Sequence, residues 1–503
     1  MRYCIGIDVG TSLIKAAMYD EEGTALLSAS TKVDVLYPQE GYAEQSMQDV
    51  WEGVVSCIRQ ITDRCDDVKN IVSVSCAGQG DGLWSIDSQG LPVGNAVLWS
   101  DNRASQIVEE WIRDGVSHQF FIQNGNTLWP GCTAPILRWL LEHDPEQYRR
   151  IDTIFYCKDW INYNLTGIAA TDHTDGTIPF MNPSTKEFSP GQIRLLGFED
   201  SLLERLPAIR SSFEVLGTVT GAASRVTGLP EGTPVVTGMI DVMANAIAAG
   251  AVAPGQAFSI IGTTLLNAVL MDSPVSEPAD VGFMLTSPLE HQWVRVLGSL
   301  SGTPNLDWFL REGYDSLYRD DMGSLYRQIQ DDVRKVPIGA NGVSFLPFIH
   351  GERSPFVNSR ATSGFLGIRE KTTRADMLRA IYESIGFAAK HNLSSVHARV
   401  QEMLVTGGGS NDETWCQIIA DITGAVIRVP HQKELGTLGA AIAAARGVGA
   451  LDALAFTPNE LRRERIYTPD SENHARYEEL YELYLLSVEQ MLPYWEKRNK
   501  IYR

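Results

Sequence analysis

One segment of this chain is written twice. Gly10-Thr11-Ser12-Leu13-Ile14-Lys15-Ala16-Ala17-Met18-Tyr19-Asp20 lines up with Gly262-Thr263-Thr264-Leu265-Leu266-Asn267-Ala268-Val269-Leu270-Met271-Asp272, with Gly, Thr, Leu, Ala and Asp in register. Each copy follows an apolar run and reads as strand, tight Gly-Thr turn, strand. A looser echo joins Cys76-Ala77-Gly78 to Thr406-Gly407-Gly408, each at the end of an apolar run. A chain of 503 residues exceeds one ordinary core. Duplication therefore predicts two similar α/β domains facing each other. The join is expected at Ala251-Val252-Ala253-Pro254-Gly255, giving domains 1–250 and 251–503.

The local pattern agrees. Tyr3 to Val9 reads as a buried strand, Leu13 to Tyr19 as a second, and Asp20-Glu21-Glu22-Gly23 as a hairpin turn into a third. Val50, Trp51, Val54, Val55 and Ile58 repeat at helical spacing within 47–61, and 70–77 is a further strand. Alternation of this kind indicates layered α/β structure. The apolar window 437–456 holds Arg446, Asp452 and three glycines, as a closely packed core helix and its exit would. Residues 471–498 are expected to form a long helix that buries Tyr477, Leu480, Tyr481, Tyr484, Leu485, Val488 and Met491 against a domain.

Charge limits the partners. Lys and Arg total 42 against 62 Asp and Glu, a formal charge of −20. Such a surface repels nucleic-acid phosphate and anionic lipid, so neither nucleic acid nor membrane is expected as a partner. A small phosphorylated ligand stays open, because clustered backbone N–H groups act locally. Seven scattered cysteines without C-x-x-C suit a reducing cytoplasm.

Four segments carry chemistry. Asp8, at a strand end, is a candidate for Mg²⁺, and Gly10, Thr11 and Ser12 offer backbone and hydroxyl donors to phosphate. Gly262, Thr263 and Thr264 repeat that turn, so two hairpins could grip one polyphosphate. Gly408, Gly409 and Asn411 follow the strand 403–405. Their small residues admit a flat ring, while the acidic Asp412 and Glu413 disfavour phosphate there. This is not a Walker A loop, since no Gly-Lys-Ser/Thr follows. Asp241, after Gly238-Met239-Ile240, is either a helix cap or a carboxylate that accepts a proton from a substrate hydroxyl. Gln79, Gly80, Asp81, Trp99, Asp101, Arg103 and Trp129 combine polar groups with aromatic faces, as carbohydrate sites do, although single tryptophans such as Trp84 and Trp99 are as readily core.

Together these segments resemble the FGGY family of carbohydrate kinases from about residue 3 to 450. The clearest matches are Ser363-Gly364-Phe365-Leu366-Gly367-Ile368 and Asp376-Met377-Leu378-Arg379-Ala380-Ile381-Tyr382-Glu383, with Thr373 as the helix cap. Phe345-Leu346-Pro347-Phe348, Gly351-Glu352-Arg353-Ser354-Pro355 and Thr133-Ala134-Pro135 also resemble the family. Ile136 stands where the family commonly has Lys.

The resemblance implies two ribonuclease-H-like domains of the actin and hexokinase type with a cleft between them. It implies ATP and Mg²⁺ as cofactors, Asp241 as general base, and a small ketose or polyol as acceptor. An L-xylulose-type pentulose is favoured, with erythritol or another alditol as the alternative. Asp8 would lie at the metal, Thr263 at the γ-phosphate, and Gly408, Gly409 and Asn411 at the adenosine. A non-catalytic actin-like nucleotide-binding regulator is the reading from another class. A dehydrogenase would need G-x-G-x-x-G after the first strand, where Asp8-Val9-Gly10-Thr11 stands. Neither the exact sugar nor the oligomeric state, a homodimer included, follows from the sequence.

Overall fold

The computed structural model describes residues 2–313, 321–431, 434–450 and 464–502. Residues 451–456, the end of the apolar window, lie outside them. Two mixed sheets dominate. The first contains β1 (Tyr3–Val9), β2 (Leu13–Tyr19), β3 (Ala25–Lys32), β4 (Ile71–Gly78), β5 (Val215–Thr218) and β6 (Pro234–Ile240) in the order β5-β6-β4-β1-β2-β3. The second contains β7 (Gln256–Ile261), β8 (Leu265–Met271), β9 (Phe283–Thr286), β10 (Trp293–Ser299), β11 (Glu402–Thr406), β12 (Val426–Pro430) and β13 (Glu464–Tyr467) in the order β9-β10-β8-β7-β11-β12-β13.

The duplication holds in three dimensions. In the first sheet β1, β2 and β3 form an antiparallel meander, β4 and then β6 add in parallel, and β5 closes antiparallel. In the second, β7, β8 and β10 form the meander, β11 and β12 add in parallel, and β13 closes antiparallel. Six strands thus share order and polarity.

Two helices lock the halves together. Here α1 is Asp241–Ala249, α2 Arg374–Ser395, α3 Glu413–Thr423, α4 Leu435–Gly447 and α5 Ser471–Ile501. Helix α4, from late in the chain, lies on the first sheet. Tyr19 Oη and Thr437 Oγ1 share a 2.8 Å hydrogen bond, and Ser73 Oγ donates to the Ala444 carbonyl at 2.9 Å. Helix α1, from the first half, turns Met243 and Ile247 into one core with Phe258, Leu270, Val294 and Leu404 of the second sheet. The close approach has a sequence cause. A Cβ on Gly6 would overlap the Thr437 carbonyl, and one on Gly439 would overlap the Ala244 carbonyl. Strand β1 is consequently covered on both faces and reads as an apolar run up to Asp8.

Between β4 and β5 the chain builds a further core around Phe120, Leu137, Ile154 and Phe180. Its 125–127 edge bridges to the second half: Met284 N donates to Asn126 Oδ1 at 2.7 Å and buried Arg295 donates to the Gly125 carbonyl at 2.9 Å. Helix α5 buries Tyr477, Tyr481, Tyr484 and Val488 in the second-half core and partly buries Leu480, Leu485 and Met491, as its pattern predicts, and Trp495 adds to that face. Among the described residues no helix is long and apolar enough to cross a membrane, and all seven cysteines are free thiols.

Candidate active site

The carboxyl ends of β1, β4 and β6 are neighbours in the first sheet, and each delivers one aspartate. Asp8 lies near the end of β1, Asp81 in the turn after β4, and Asp241 directly after β6. The 80–82 turn is pressed against β6, since a Cβ on Gly80 would overlap the Ile240 side chain. Asp81 itself adopts a left-handed φ of 59°, a region few non-glycine residues use and one that Asp tolerates better than most.

The three carboxylates sense one another. Burial, opposed by Lys15 and assisted by Glu434, lifts the Asp8 carboxyl to about 6. Burial and the charge of Asp8 lift Asp241 to about 7, against a hydrogen bond from Val242 N. Burial and the charge of Asp241 lift Asp81 to about 8. Lys15 faces Asp8 across the β1–β2 register, but its Nζ is bound by Glu434 Oε2 at 2.7 Å. Among the described residues the Asp241 carboxylate accepts only Val242 N, at 2.6 Å on Oδ1. Neither the Asp8 nor the Asp81 carboxylate accepts a hydrogen bond from any described residue. Two carboxylates without donors beside a third with a single backbone donor amount to a site that expects a ligand.

Beside them the first hairpin is braced. Thr11 Oγ1 donates to Gln79 Oε1 at 2.8 Å, Gln79 Nε2 to Gln45 Oε1 at 2.8 Å, and Gln45 Nε2 to the Thr11 carbonyl at 2.6 Å. Trp99 Nε1 donates to Thr11 Oγ1 at 3.1 Å, and Trp129 Nε1 to the Trp99 carbonyl at 3.2 Å. Trp129 also packs on Phe283 of the second sheet, 5.9 Å between ring centroids.

The second hairpin occupies the matching place. Gly262, Thr263 and Thr264 join β7 to β8, with Gly262 N donating to the Thr264 carbonyl at 3.0 Å and Thr263 exposed. Gly407 and Gly409 fold onto Ile261, where a Cβ on either would overlap it. That closeness sets Gly408, Gly409 and Asn411 beside the hairpin. The loop leaving β12, at the same end of the sheet, reaches the first half. Glu434 binds Lys15, and Gly436 lies so near Asp8 that a Cβ would overlap its carboxylate. The carboxyl ends of the two sheets are therefore joined at the start of α4. The repeat is not symmetric in chemistry, because Ile260 stands where the first copy has Asp8.

Two expectations need correcting. Asp101 and Arg103 are not free to meet a sugar. Asp101 is buried and accepts Ala43 N at 2.7 Å and Arg103 Nε at 2.9 Å. Arg103 also binds Glu44 at 2.6 Å and is enclosed by Tyr42 and Trp139. The pair braces the loop from behind. Trp84 is fully buried core. Sequence reasoning missed Gln45, which sits on a two-residue strand without any pattern. It also missed Gly436, whose only signal is a glycine at the start of a helix. Lys158, fully buried among Asp159, Asp172 and Asp175 at 2.6, 3.0 and 2.9 Å, was equally unsignalled.

Family sequence models decide the kinship. The N-terminal domain model of the FGGY family of carbohydrate kinases matches residues 3–248 and the C-terminal domain model matches 257–448. The chain belongs to the FGGY family of carbohydrate kinases. It is 31% identical to L-xylulose/3-keto-L-gulonate kinase of Escherichia coli (strain K12), covering 96% of each chain. It is 27% identical to erythritol kinase of Brucella abortus (strain 2308), covering 98% of this chain and 97% of the other. Its fold matches ligand-bound xylulose kinase from Lactobacillus acidophilus with a TM-score of 0.89 at 23% identity, over 99% of this chain and all of that one.

The FGGY kinase is thus an ATP-dependent sugar phosphotransferase, and the family uses ATP generally with Mg²⁺. Asp8 fits such a metal. Its carboxylate is half-buried, donor-free and at a strand end, and Mg²⁺ needs only one or two carboxylates beside water and phosphate oxygens. No group of three metal-binding side chains exists among the described residues, and none is required. Bound there, the ion would neutralise charge on the phosphates.

Asp81 yields a stability test. Its folded-state carboxyl is raised to about 8, so the native state holds a proton that the unfolded chain releases near the ordinary value of about 4. Its contribution is intact at low pH and is lost as pH rises from about 4 to about 8. In the ligand-free enzyme, Asp81→Asn should therefore melt increasingly above the parent across that window, by a few kcal/mol at its top. Parallel melting curves for the two proteins would remove the strained carboxylate from this account.

Proposed function

We propose that this FGGY kinase transfers the γ-phosphoryl group of ATP to a hydroxyl of a small uncharged ketose or polyol, an L-xylulose-type pentulose being favoured. The observation that carries this reading is the trio Asp8, Asp81 and Asp241 at the carboxyl ends of β1, β4 and β6. Lys15 is the one described cation whose charge reaches any of them, and Glu434 already holds it. Hydroxyl groups can exchange hydrogen bonds with such carboxyl groups whether or not these are protonated, whereas the carboxylate of a sugar acid finds no unpaired guanidinium or ammonium among the described residues that reach the trio.

In this reading Asp241 accepts the hydroxyl proton and the oxygen attacks phosphorus in line. Gly10, Thr11 and Ser12 on one side and Gly262, Thr263 and Thr264 on the other hold the phosphates. Gln79, Gly80, Asp81, Trp99 and Trp129 line the acceptor side, and Gly408, Gly409 and Asn411 the adenosine side. Residues 1–250 would carry the acceptor pocket and half the phosphate grip, and 251–503 the nucleotide face. Seven free thiols suit action in the cytoplasm.

Support for the pentulose comes from the L-xylulose kinase likeness along nearly the whole chain. The Gly80-Asp81 turn keeps erythritol as the second reading, given the erythritol kinase likeness. A coupled ADP-release screen over L-xylulose, D-xylulose, ribulose, erythritol, ribitol, glycerol and 3-keto-L-gulonate tests this. Turnover should be greatest with a neutral four- or five-carbon acceptor. Preference for 3-keto-L-gulonate would overturn the electrostatic argument.

A further inference from the structure

Gly351-Glu352-Arg353-Ser354-Pro355 has no part in the site as described, yet Glu352 is nearly sealed from solvent at 2% exposure. Among the described residues no cation pairs with it. Instead five donors converge on its carboxylate. Oε1 accepts Leu300 N at 3.0 Å, Arg353 N at 2.8 Å and Ser354 N at 3.2 Å. Oε2 accepts Ser299 Oγ at 2.6 Å and Ser301 Oγ at 2.8 Å. The guanidinium of Arg353 is turned away and donates to the Gly298 carbonyl at 3.0 Å.

Three of the five donors belong to the segment 299–301, and that segment runs straight into the second hairpin. Ser299 ends β10 and pairs with Leu265, the first residue after the hairpin. Gly302 lies flat on the hairpin backbone, where a Cβ would overlap the carbonyls of Gly262 and Thr263. Thr303 N then donates to the Gly262 carbonyl at 2.8 Å. Glu352 is thereby one layer behind the hairpin and holds the strand end and the loop that support it.

We infer that Glu352 is a positioning residue for phosphoryl transfer: it touches no substrate, but it fixes the 299–303 loop and through it the Gly262-Thr263-Thr264 hairpin. This rests on the reading above that the hairpin receives the terminal phosphate. Donors that stabilise a transferring phosphoryl group must be in place before charge develops, and a displacement near 1 Å is enough to lose about a hundredfold in rate. A buried carboxylate suits the task. It offers enough acceptor sites for several backbone and hydroxyl donors, and with its donors satisfied it has no reason to move.

The test compares Glu352→Ala, Glu352→Gln and Ser301→Ala with the parent. Dissociation constants for ATP, ADP and the best acceptor are measured by calorimetry, alongside kcat and melting temperature. For Glu352→Ala, kcat should fall about a hundredfold. ATP affinity should weaken while ADP and acceptor affinities stay within about twofold, because only the γ-phosphate region loses its grip. Glu352→Gln keeps the acceptor for the backbone N–H groups, and the serine hydroxyls can rotate to accept from its amide, so it should recover most of kcat. Equal weakening of ATP, ADP and acceptor, or an unchanged kcat, overturns the inference. If Glu352→Ala does not fold, Ser301→Ala decides: the same ATP-over-ADP loss in milder form supports the inference, and parental behaviour overturns it. A parent that binds no ATP would instead sink the nucleotide reading on which this rests.

Discussion

Asp241→Asn is expected to bind ATP and acceptor like the parent and to turn over about 10²–10⁴-fold more slowly, the usual range for loss of a general base. The substitution keeps the size of the side chain and the oxygen that accepts Val242 N. What it removes is proton affinity. The Asp241 carboxyl is lifted to about 7 by burial and the neighbouring Asp8 charge, close to the pH at which a carboxylate is both ionised and basic enough to take a hydroxyl proton. Aspartate at its ordinary value near 4 would be a far weaker base. Single-turnover rates with calorimetric ATP and acceptor titrations separate chemistry from binding. A variant with near-parental turnover would take Asp241 out of the role and leave it a helix-start residue.

The second large effect is on assembly. Gly6→Ala should yield little folded protein, with a destabilisation of about 3 kcal/mol or more. Its new methyl group would overlap the Thr437 carbonyl and crowd Ala441 N. All the atoms involved are backbone, of β1 on one side and α4 on the other, so no side chain can turn aside to relieve the overlap. Gly364→Ala serves as the control, because a Cβ there meets nothing within 4 Å. Chemical unfolding and soluble yield read the difference. A Gly6→Ala protein that melts with the control would mean that α4 does not lie on β1. Asp8 would then lose Gly436 as its neighbour, and the joining of the two sheets' carboxyl ends would lose its main support.

Much of this architecture was legible in residue order. The repeated Gly-Thr turn announced two matching sheets, and β2, read as 13–19, appears as Leu13–Tyr19. The Thr373 cap is a reciprocal capping box with Asp376, and Asp412 caps α3 where the acidic start was expected. These features are carried by neighbours in sequence, through alternation, helical spacing and turn chemistry, so they survive without knowledge of the fold. The placement of Asp8, Asp81 and Asp241 at or just after apolar strands was legible for a related reason.

The chain by itself determined the duplicated sheets, the Gly-Thr hairpins and the strand-end aspartates. Only tertiary structure decided that Asp101 and Arg103 brace a loop instead of facing a sugar, that Gln45 holds Thr11, and that the start of α4 closes over Asp8. The physical reason is range. Turn and strand preferences act across a few residues, whereas burial and charge depend on whatever the fold brings close. Lys15 finds Glu434 across 419 positions of chain, and no local pattern reports such a meeting.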